Sequence, residues 1–241
     1  MAVVATERAR AGDNAGALAE VEAALRVNND IPVLQLLRMQ LLHNLGRTDD
    51  LKAAHREIIE LYPNDSSYRR LYVRTLAEQG DYAAAREQLI EISRLNPGEI
   101  DPMLDVVRID YRLKGADAAA ATFRQFVDAS PDNVDLKFSY ATFLRTLQDN
   151  AGAEAIYKAF ASARGNESTA LRARNEIASL RLVEGKVDEA KAIVDEILKA
   201  DRNNTEALLK RAGIKIEEKD YDGAVLDLRG VLNEKPDSVA A

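Results

Sequence analysis

The sequence predicts an all-α solenoid, a stack of about seven helical hairpins in which each hairpin leans on the next. Three observations predict this fold class. A helix-breaking corner recurs along the chain, apolar residues follow each corner at helical spacing, and a proline closes several of the segments. The corners are Gly12, Gly46, Gly80, Gly115, Gln148, Gly185 and Lys219. The successive spacings are therefore 34, 34, 35, 33, 37 and 34 residues.

The segment 78–97, EQGDYAAAREQLIEISRLNP, contains every part of the repeated pattern. Ala85 follows the corner by five residues, at a position where two helices must approach closely, and Leu89 and Ile92 continue one apolar stripe. Pro97 then ends the second helix, because proline lacks a backbone donor and disfavours helix in the residue before it. The small residue recurs as Ala17, Ala153, Ala190 and Ala224, and the closing proline as Pro63, Pro131 and Pro236.

A period near 34 residues with two helices, a corner and a following small residue resembles the tetratricopeptide repeat family over nearly the whole chain. The resemblance implies a right-handed α-α superhelix whose first helices line an inner, concave surface. The chain departs from the family pattern in lacking tryptophan, in placing Leu51 at a small position, and in replacing the corner glycine with Gln148 and Lys219. The predicted units are approximately 1–29, 32–63, 66–97, 101–131, 134–165, 169–202 and 205–236.

The whole chain is predicted to be one solenoid domain and a segment of a longer array. Met1 precedes Gly12 by only eleven residues, and the residues DSVAA after Pro236 begin another helix. A terminal repeat normally has a polar outer face, which neither end provides. The longest connector, ASARGNESTAL, contributes the 37-residue spacing and is the best hinge candidate.

Composition favours a non-catalytic protein without a cofactor. The chain has no cysteine, which excludes disulfides and thiolate metal sites. It has only two histidines, His43 and His55, which are too few to indicate a catalytic or metal site. No apolar run is long enough to span a bilayer, so we expect no direct membrane insertion. We expect a soluble protein of the cytoplasm or periplasm, with any signal or anchor outside this segment. The compartment itself is left open.

Charge points to the predicted inner surface as the binding site. Six of the predicted first helices carry a net charge of +5, whereas the whole chain carries −7, so the remaining residues carry −12. Arginine binds carboxylates through a planar, bidentate fork. We therefore predict a groove for a protein or an extended acidic peptide. The alternative is that these arginines pair with glutamates on the adjacent helix. The candidate partner-binding residues are Gln40, His43, Asn44, Arg70, Arg74, Arg112, Arg145, Arg172 and Asn175.

The function predicted from these features is a protein–protein interaction scaffold. Nucleic acid is disfavoured as a partner because an acidic chain repels phosphates. The sequence style is also similar to bacterial repeat proteins of envelope and exopolysaccharide export systems, which implies an export assembly as the setting. Two rivals stay open: a substrate-recruiting arm of a larger enzyme, and an array that self-associates through its uncapped ends.

Overall fold

A computed structural model of the chain describes residues 2–163 and 167–238. These ranges contain fourteen α-helices and no β-strand. The helices pair into seven hairpins. The all-α solenoid class predicted from the sequence is confirmed. The helices are α1 (Ala2–Arg10), α2 (Asn14–Val27), α3 (Pro32–Asn44), α4 (Thr48–Leu61), α5 (Ser66–Glu78), α6 (Tyr82–Leu95), α7 (Asp101–Lys114), α8 (Ala116–Ala129), α9 (Val134–Thr146), α10 (Asn150–Ser162), α11 (Glu167–Val183), α12 (Val187–Ala200), α13 (Thr205–Glu217) and α14 (Tyr221–Glu234).

All seven predicted corner residues have a positive φ, between 62° and 86°. This conformation ends the first helix of a hairpin and turns the chain into the second. Five of the corners are glycines, which adopt it without steric cost. Gln148 and Lys219 adopt it with a Cβ atom, so these two corners carry local backbone strain.

The second helix of most hairpins begins with a side-chain cap directly after the corner. The carboxylates of Asp13, Asp149 and Asp220 accept hydrogen bonds from the backbone amides of Gly16, Gly152 and Gly223, at 2.8 to 3.0 Å. These amides lie in the first turn, where no backbone acceptor is available within the helix. The corner and cap together therefore fix both the direction and the starting residue of the helix.

The helix ends agree with the proline positions. The helices α4, α6, α8 and α14 each end two residues before a proline, and those prolines are Pro63, Pro97, Pro131 and Pro236. The proline ring disfavours helical backbone in the residue before it, so the helix stops one residue earlier still. The same spacing holds at Asn29 and Arg202, which replace proline after α2 and α12.

The corner at Gly115 differs from the other six. It is the single residue between α7 and α8, whereas the other hairpins have three residues between their helices. Its φ of 86° and ψ of −176° lie in a region that is open essentially to glycine alone. The buried small residue follows this corner by four positions, as Ala119, rather than by five.

The chain divides into two compact units, the first ending at Ser130 and the second beginning at Pro131. In the first unit the helices α1 to α8 pack in sequence order, each against the next. In the second unit α9 to α14 pack in the same way, and α11 also contacts α13. Sequential packing of this kind is what a repeat solenoid requires, because each hairpin is stabilised by its neighbours.

Two buried aspartates are each held by an arginine of a neighbouring helix. In the first unit Asp110 is fully buried and accepts two hydrogen bonds from the Arg86 guanidinium, at 2.7 and 2.8 Å, and one from the Thr122 hydroxyl at 2.7 Å. In the second unit Arg211 donates two hydrogen bonds to Asp227, at 2.9 and 2.7 Å. These bidentate pairs satisfy carboxylates that are otherwise costly to bury.

The 37-residue spacing coincides with a longer helix. The helix α11 has 17 residues, whereas the first helices of the hairpins from the second onward otherwise have 13 or 14. Residues 167–171 of the predicted hinge connector belong to this helix. The connector's residues 164–166, which include the predicted end of the fifth unit, lie outside the described residues.

Candidate functional site

The first unit contains a cleft of about 380 Å³ between α3, α4 and α5. Its apolar lining comes from Leu36, Met39, Leu51 and Leu71. Its polar lining consists of Gln40, His43, His55, Arg74, Thr75 and Glu78. The α3 side of this apolar lining comes from the segment VLQLLRMQLLHNLG, which is unusually apolar for one helix. Within it, α3 leaves Leu36 exposed and buries Leu34, Met39, Leu41 and Leu42.

Two buried polar residues of the cleft hydrogen-bond to each other. The His55 Nε2 atom lies 2.9 Å from the Thr75 hydroxyl, and the imidazole stacks on the Tyr72 ring with centroids 5.0 Å apart. The Nδ1 atom of His55 has no hydrogen-bond partner among the described residues. Burial, together with the positive charge of Arg74, lowers the pKa of His55 to about 4. The imidazole is therefore neutral at physiological pH.

Three of the nine predicted partner-binding residues meet in this cleft. Gln40 and His43 come from α3 and Arg74 comes from α5, and all three are exposed. The Arg74 side chain is 72% exposed, with its Nε atom 4.0 Å from Glu78 Oε1. Asn44 is the exposed last residue of α3 and does not line the cleft.

Three of the predicted arginines pair with carboxylates from another part of their own unit. Arg70 donates to Glu99, Arg145 donates to Glu176 at 2.8 Å, and Arg172 donates to Asp135 at 2.7 Å. The pairs of Arg145 and Arg172 both join α9 to α11. The pairs are all partly exposed, so water weakens them.

Two of the predicted arginines lie over aromatic rings. The Arg112 guanidinium is 4.2 Å from the centroid of the Tyr82 ring, and that of Arg172 is 4.0 Å from the Phe138 ring. Such cation–π contacts hold the guanidinium flat against the ring and leave its donors at the edge.

Asn175 is a buried residue of the second unit, with 2% of its surface exposed. Its side-chain amide donates to the Leu171 carbonyl at 3.2 Å and to Asn204 Oδ1 at 3.0 Å. Its own carbonyl oxygen accepts from the Lys210 ammonium at 3.4 Å. Asn175 therefore joins α11 to α13, and Lys210 is the group beside it that carries charge.

Lys210 is a functional candidate that the sequence reasoning missed. Burial lowers the pKa of its ammonium, while Glu206 and Glu176 act in the opposite direction. Within the described ranges the ammonium donates one hydrogen bond, the long one to Asn175. A partly desolvated cation with so weak a contact is suited to a carboxylate ligand. The charge sum did not reveal it, because the formal charges of the predicted helix, residues 205–218, add up to zero.

The described residues include no group of three histidine, cysteine, aspartate or glutamate side chains that could hold a metal ion. Separately, none of the helices that the structure describes has the length and apolar content needed to cross a bilayer.

Comparison with known proteins finds one family match within the chain. Residues 107–168 match the family model of the tetratricopeptide repeat. The tetratricopeptide repeat and J domain-containing co-chaperone DNJ1 of Cryptococcus neoformans is 25% identical over 154 residues, which cover 59% of this chain and 29% of the co-chaperone. The chain thus spans less than a third of that relative.

Solved structures share the fold at low sequence identity. Yeast Tom70 superposes with a TM-score of 0.54 and 16% identity, over 91% of this chain and 55% of Tom70. A chain of the Naa15/Naa10 complex bound to HypK-THB superposes with a TM-score of 0.50 and 13% identity, over 98% of this chain and 36% of that one. The match over residues 107–168 and the shared fold of these structures confirm the resemblance to tetratricopeptide repeat proteins inferred from the sequence.

Proposed function

We propose that the chain is a non-catalytic protein-binding scaffold that holds an extended, acidic peptide segment of a partner. The cleft between α3, α4 and α5 supports this proposal, because it places the exposed Leu36 and the half-buried Leu71 beside an exposed arginine. An apolar side chain of the partner packs against Leu36, Met39 and Leu71. A carboxylate next to it in the peptide binds Arg74.

In the second unit the same chemistry is available at Lys210. A carboxylate of the peptide can form an ion pair with this ammonium. The hydrogen bond to the neutral Asn175 side chain does not provide such a pair. The partly exposed pairs of Arg145 and Arg172 can exchange their internal carboxylates for those of a partner at small cost.

A defined peptide tests this function. A fluorescently labelled decapeptide that alternates leucine and glutamate is titrated with the full chain, and fluorescence anisotropy is recorded at two salt concentrations. We expect binding that weakens as salt rises, and no binding of the matched leucine–lysine peptide. Arg74→Glu is expected to raise the Kd about tenfold or more, while Arg94→Glu, an exposed arginine of α6 that does not line the cleft, leaves it unchanged. Equal affinity for both peptides would refute the proposal.

A second candidate function is self-association, and one observation favours it: the last described helix, α14, exposes several large apolar side chains. Other details stay predictions of the sequence. These are the single-domain organisation within a longer array, the partner-binding set as a whole, the compartment, and the bacterial envelope or polysaccharide export setting.

A further inference from the structure

The helix α14 has a continuous apolar face that no described residue covers. Tyr221 is 61% exposed, Val225 46% and Leu232 38%, with Leu228 half-buried between them. The other side of the helix is buried normally, through Ala224, Asp227 and Val231. Scattered single apolar residues are ordinary on a surface, but a row along one helix marks an interaction surface.

Earlier hairpins show what occupies this face. In α2 the residues at the same distances from the corner as Val225, Leu228 and Leu232 are Leu18, Val21 and Leu25. All three are buried, and α2 packs against α3, the first helix of the next hairpin. In α12 the corresponding Val194 and Leu198 are buried in the cluster shared with α13. The face of α14 is thus built to receive a helix.

The spacing of the apolar residues specifies the geometry of that helix. Tyr221, Val225, Leu228 and Leu232 are separated by four, three and four residues, which is the spacing of a seam between two nearly aligned helices. The exposed Asp222 and Arg229 flank the seam and lie seven residues apart. When two copies of α14 pair in opposite directions, each Asp222 meets the other copy's Arg229. In a parallel pair these residues of the two copies would lie on opposite sides of the seam and could not meet.

The first helix is a poor match for this face. In α1 the exposed Val3 and Val4 are followed by Glu7, Arg8 and Arg10, which form ion pairs among themselves and with neighbouring residues. Covering them with an apolar face would desolvate charges without new partners. A head-to-tail stack of copies is therefore disfavoured relative to a two-fold pair of identical faces.

We propose that α14 forms a two-fold, antiparallel dimer with α14 of a second copy, sealed by this seam and by two Asp222–Arg229 ion pairs. The inference rests on self-association, the second candidate function, and adds its surface and geometry. A single helix face is small for a specific interface, so the dimer is weak and concentration-dependent.

Sedimentation velocity of the full chain across a concentration series tests the surface. We expect a monomer–dimer equilibrium, and Leu232→Glu raises its Kd at least about tenfold. Val183→Glu, which places the same charge on an exposed valine outside α14, leaves the Kd unchanged. Circular dichroism checks that both variants stay folded. A monomer at every concentration overturns self-association and the dimer together, whichever way the peptide titration turns out.

Charge exchange tests the antiparallel arrangement separately. Asp222→Arg and Arg229→Asp each raise the Kd roughly threefold to tenfold, and the double variant D222R/R229D restores it. A dimer that is sensitive to Leu232→Glu but indifferent to these exchanges overturns the geometry and leaves self-association standing. A higher oligomer in place of a dimer overturns the two-fold pair and points to the stacked array.

Discussion

The His55 imidazole of α4 and the Thr75 hydroxyl of α5 hydrogen-bond at 2.9 Å, inside the interface that joins two successive hairpins. The residues at the same distance from the corner in α2, α6 and α12 are Val21, Leu89 and Val194. One interface of the stack is therefore held by a polar pair at a position that is aliphatic in these three helices.

This pair makes stability depend on pH. The pKa of His55 is about 4 in the folded chain, against 6.5 for an ordinary histidine, because the buried imidazole resists protonation. The unfolded state therefore binds the proton first. The contribution is fully present above about pH 6.5 and is lost as pH falls to about 4, at most about 3 kcal/mol in total.

We expect His55→Leu to flatten the dependence of the unfolding free energy on pH between about 6.5 and 4. Thr75→Val in the same chain removes the hydroxyl that this substitution leaves without its partner. Urea unfolding at a series of pH values measures the effect. A slope that is unchanged in His55→Leu would mean that other groups set the dependence.

Asp110 is expected to be a site of large destabilisation. Burial would raise its pKa, but hydrogen bonds from Arg86, Thr122 and Lys114 outweigh burial and lower the pKa to about 2. Asp110→Ala leaves the Arg86 charge without its partner and should cost about 3 to 5 kcal/mol in unfolding free energy. Asp105→Ala, which removes an exposed carboxylate from the same helix, should cost less than about 1 kcal/mol.

The same carboxyl predicts acid sensitivity. Because its folded pKa is depressed, the stabilisation from Asp110 is present above about pH 4 and is lost as pH falls from about 4 to about 2. Thermal unfolding monitored by circular dichroism should show a steeper decline of Tm in this window for the wild type than for Asp110→Ala. Parallel declines would contradict the assignment.

Two corners can be relieved of strain. Gln148 and Lys219 have φ values of 62° and 66°, so glycine at either position should stabilise the chain by about 1 kcal/mol. The reverse substitution, Gly46→Gln at a φ of 66°, should destabilise it by a similar amount. Chemical denaturation measures all three variants. Loss of stability in Gln148→Gly would show that flexibility of the unfolded chain outweighs the strain.

The ion pair between Arg145 and Glu176 is expected to contribute little to the fold. Both side chains are about 30% exposed, and a double-mutant cycle of Arg145→Ala and Glu176→Ala should give a coupling below about 1 kcal/mol. A larger coupling would mean that Arg145 is held by the fold and is a poor candidate for binding a partner.

The fold was predictable because helix boundaries depend on local chemistry. The corner residues, Asp caps such as Asp149, and prolines such as Pro97 each act within a few residues of the chain, and the structure follows them closely. The site was less predictable, because it depends on what lies opposite a residue. No spacing rule shows that Asn175 is buried or that Arg70 already has Glu99 beside it.

Lys210 and Leu36 illustrate the same limit. A formal charge sum over α13 cannot distinguish a solvated lysine from one with a lowered pKa. Likewise, an apolar helix such as α3 gives no sign of which leucine the stack leaves uncovered. Both properties arise only when neighbouring hairpins are packed together.

The one-residue connection at Gly115 changes the corner of the fourth hairpin but not the phase of its second helix. Counted from the first helical residue, Ala119 and Phe123 are the fourth and eighth residues of α8, as Ala85 and Leu89 are of α6, and all four are buried. A chimaera that grafted the α8 sequence behind a three-residue corner would therefore keep Ala119 and Phe123 in the interior. Redesign by averaging the seven repeats would lengthen this connection, so the corner rather than the helix is the part of this module that is not interchangeable.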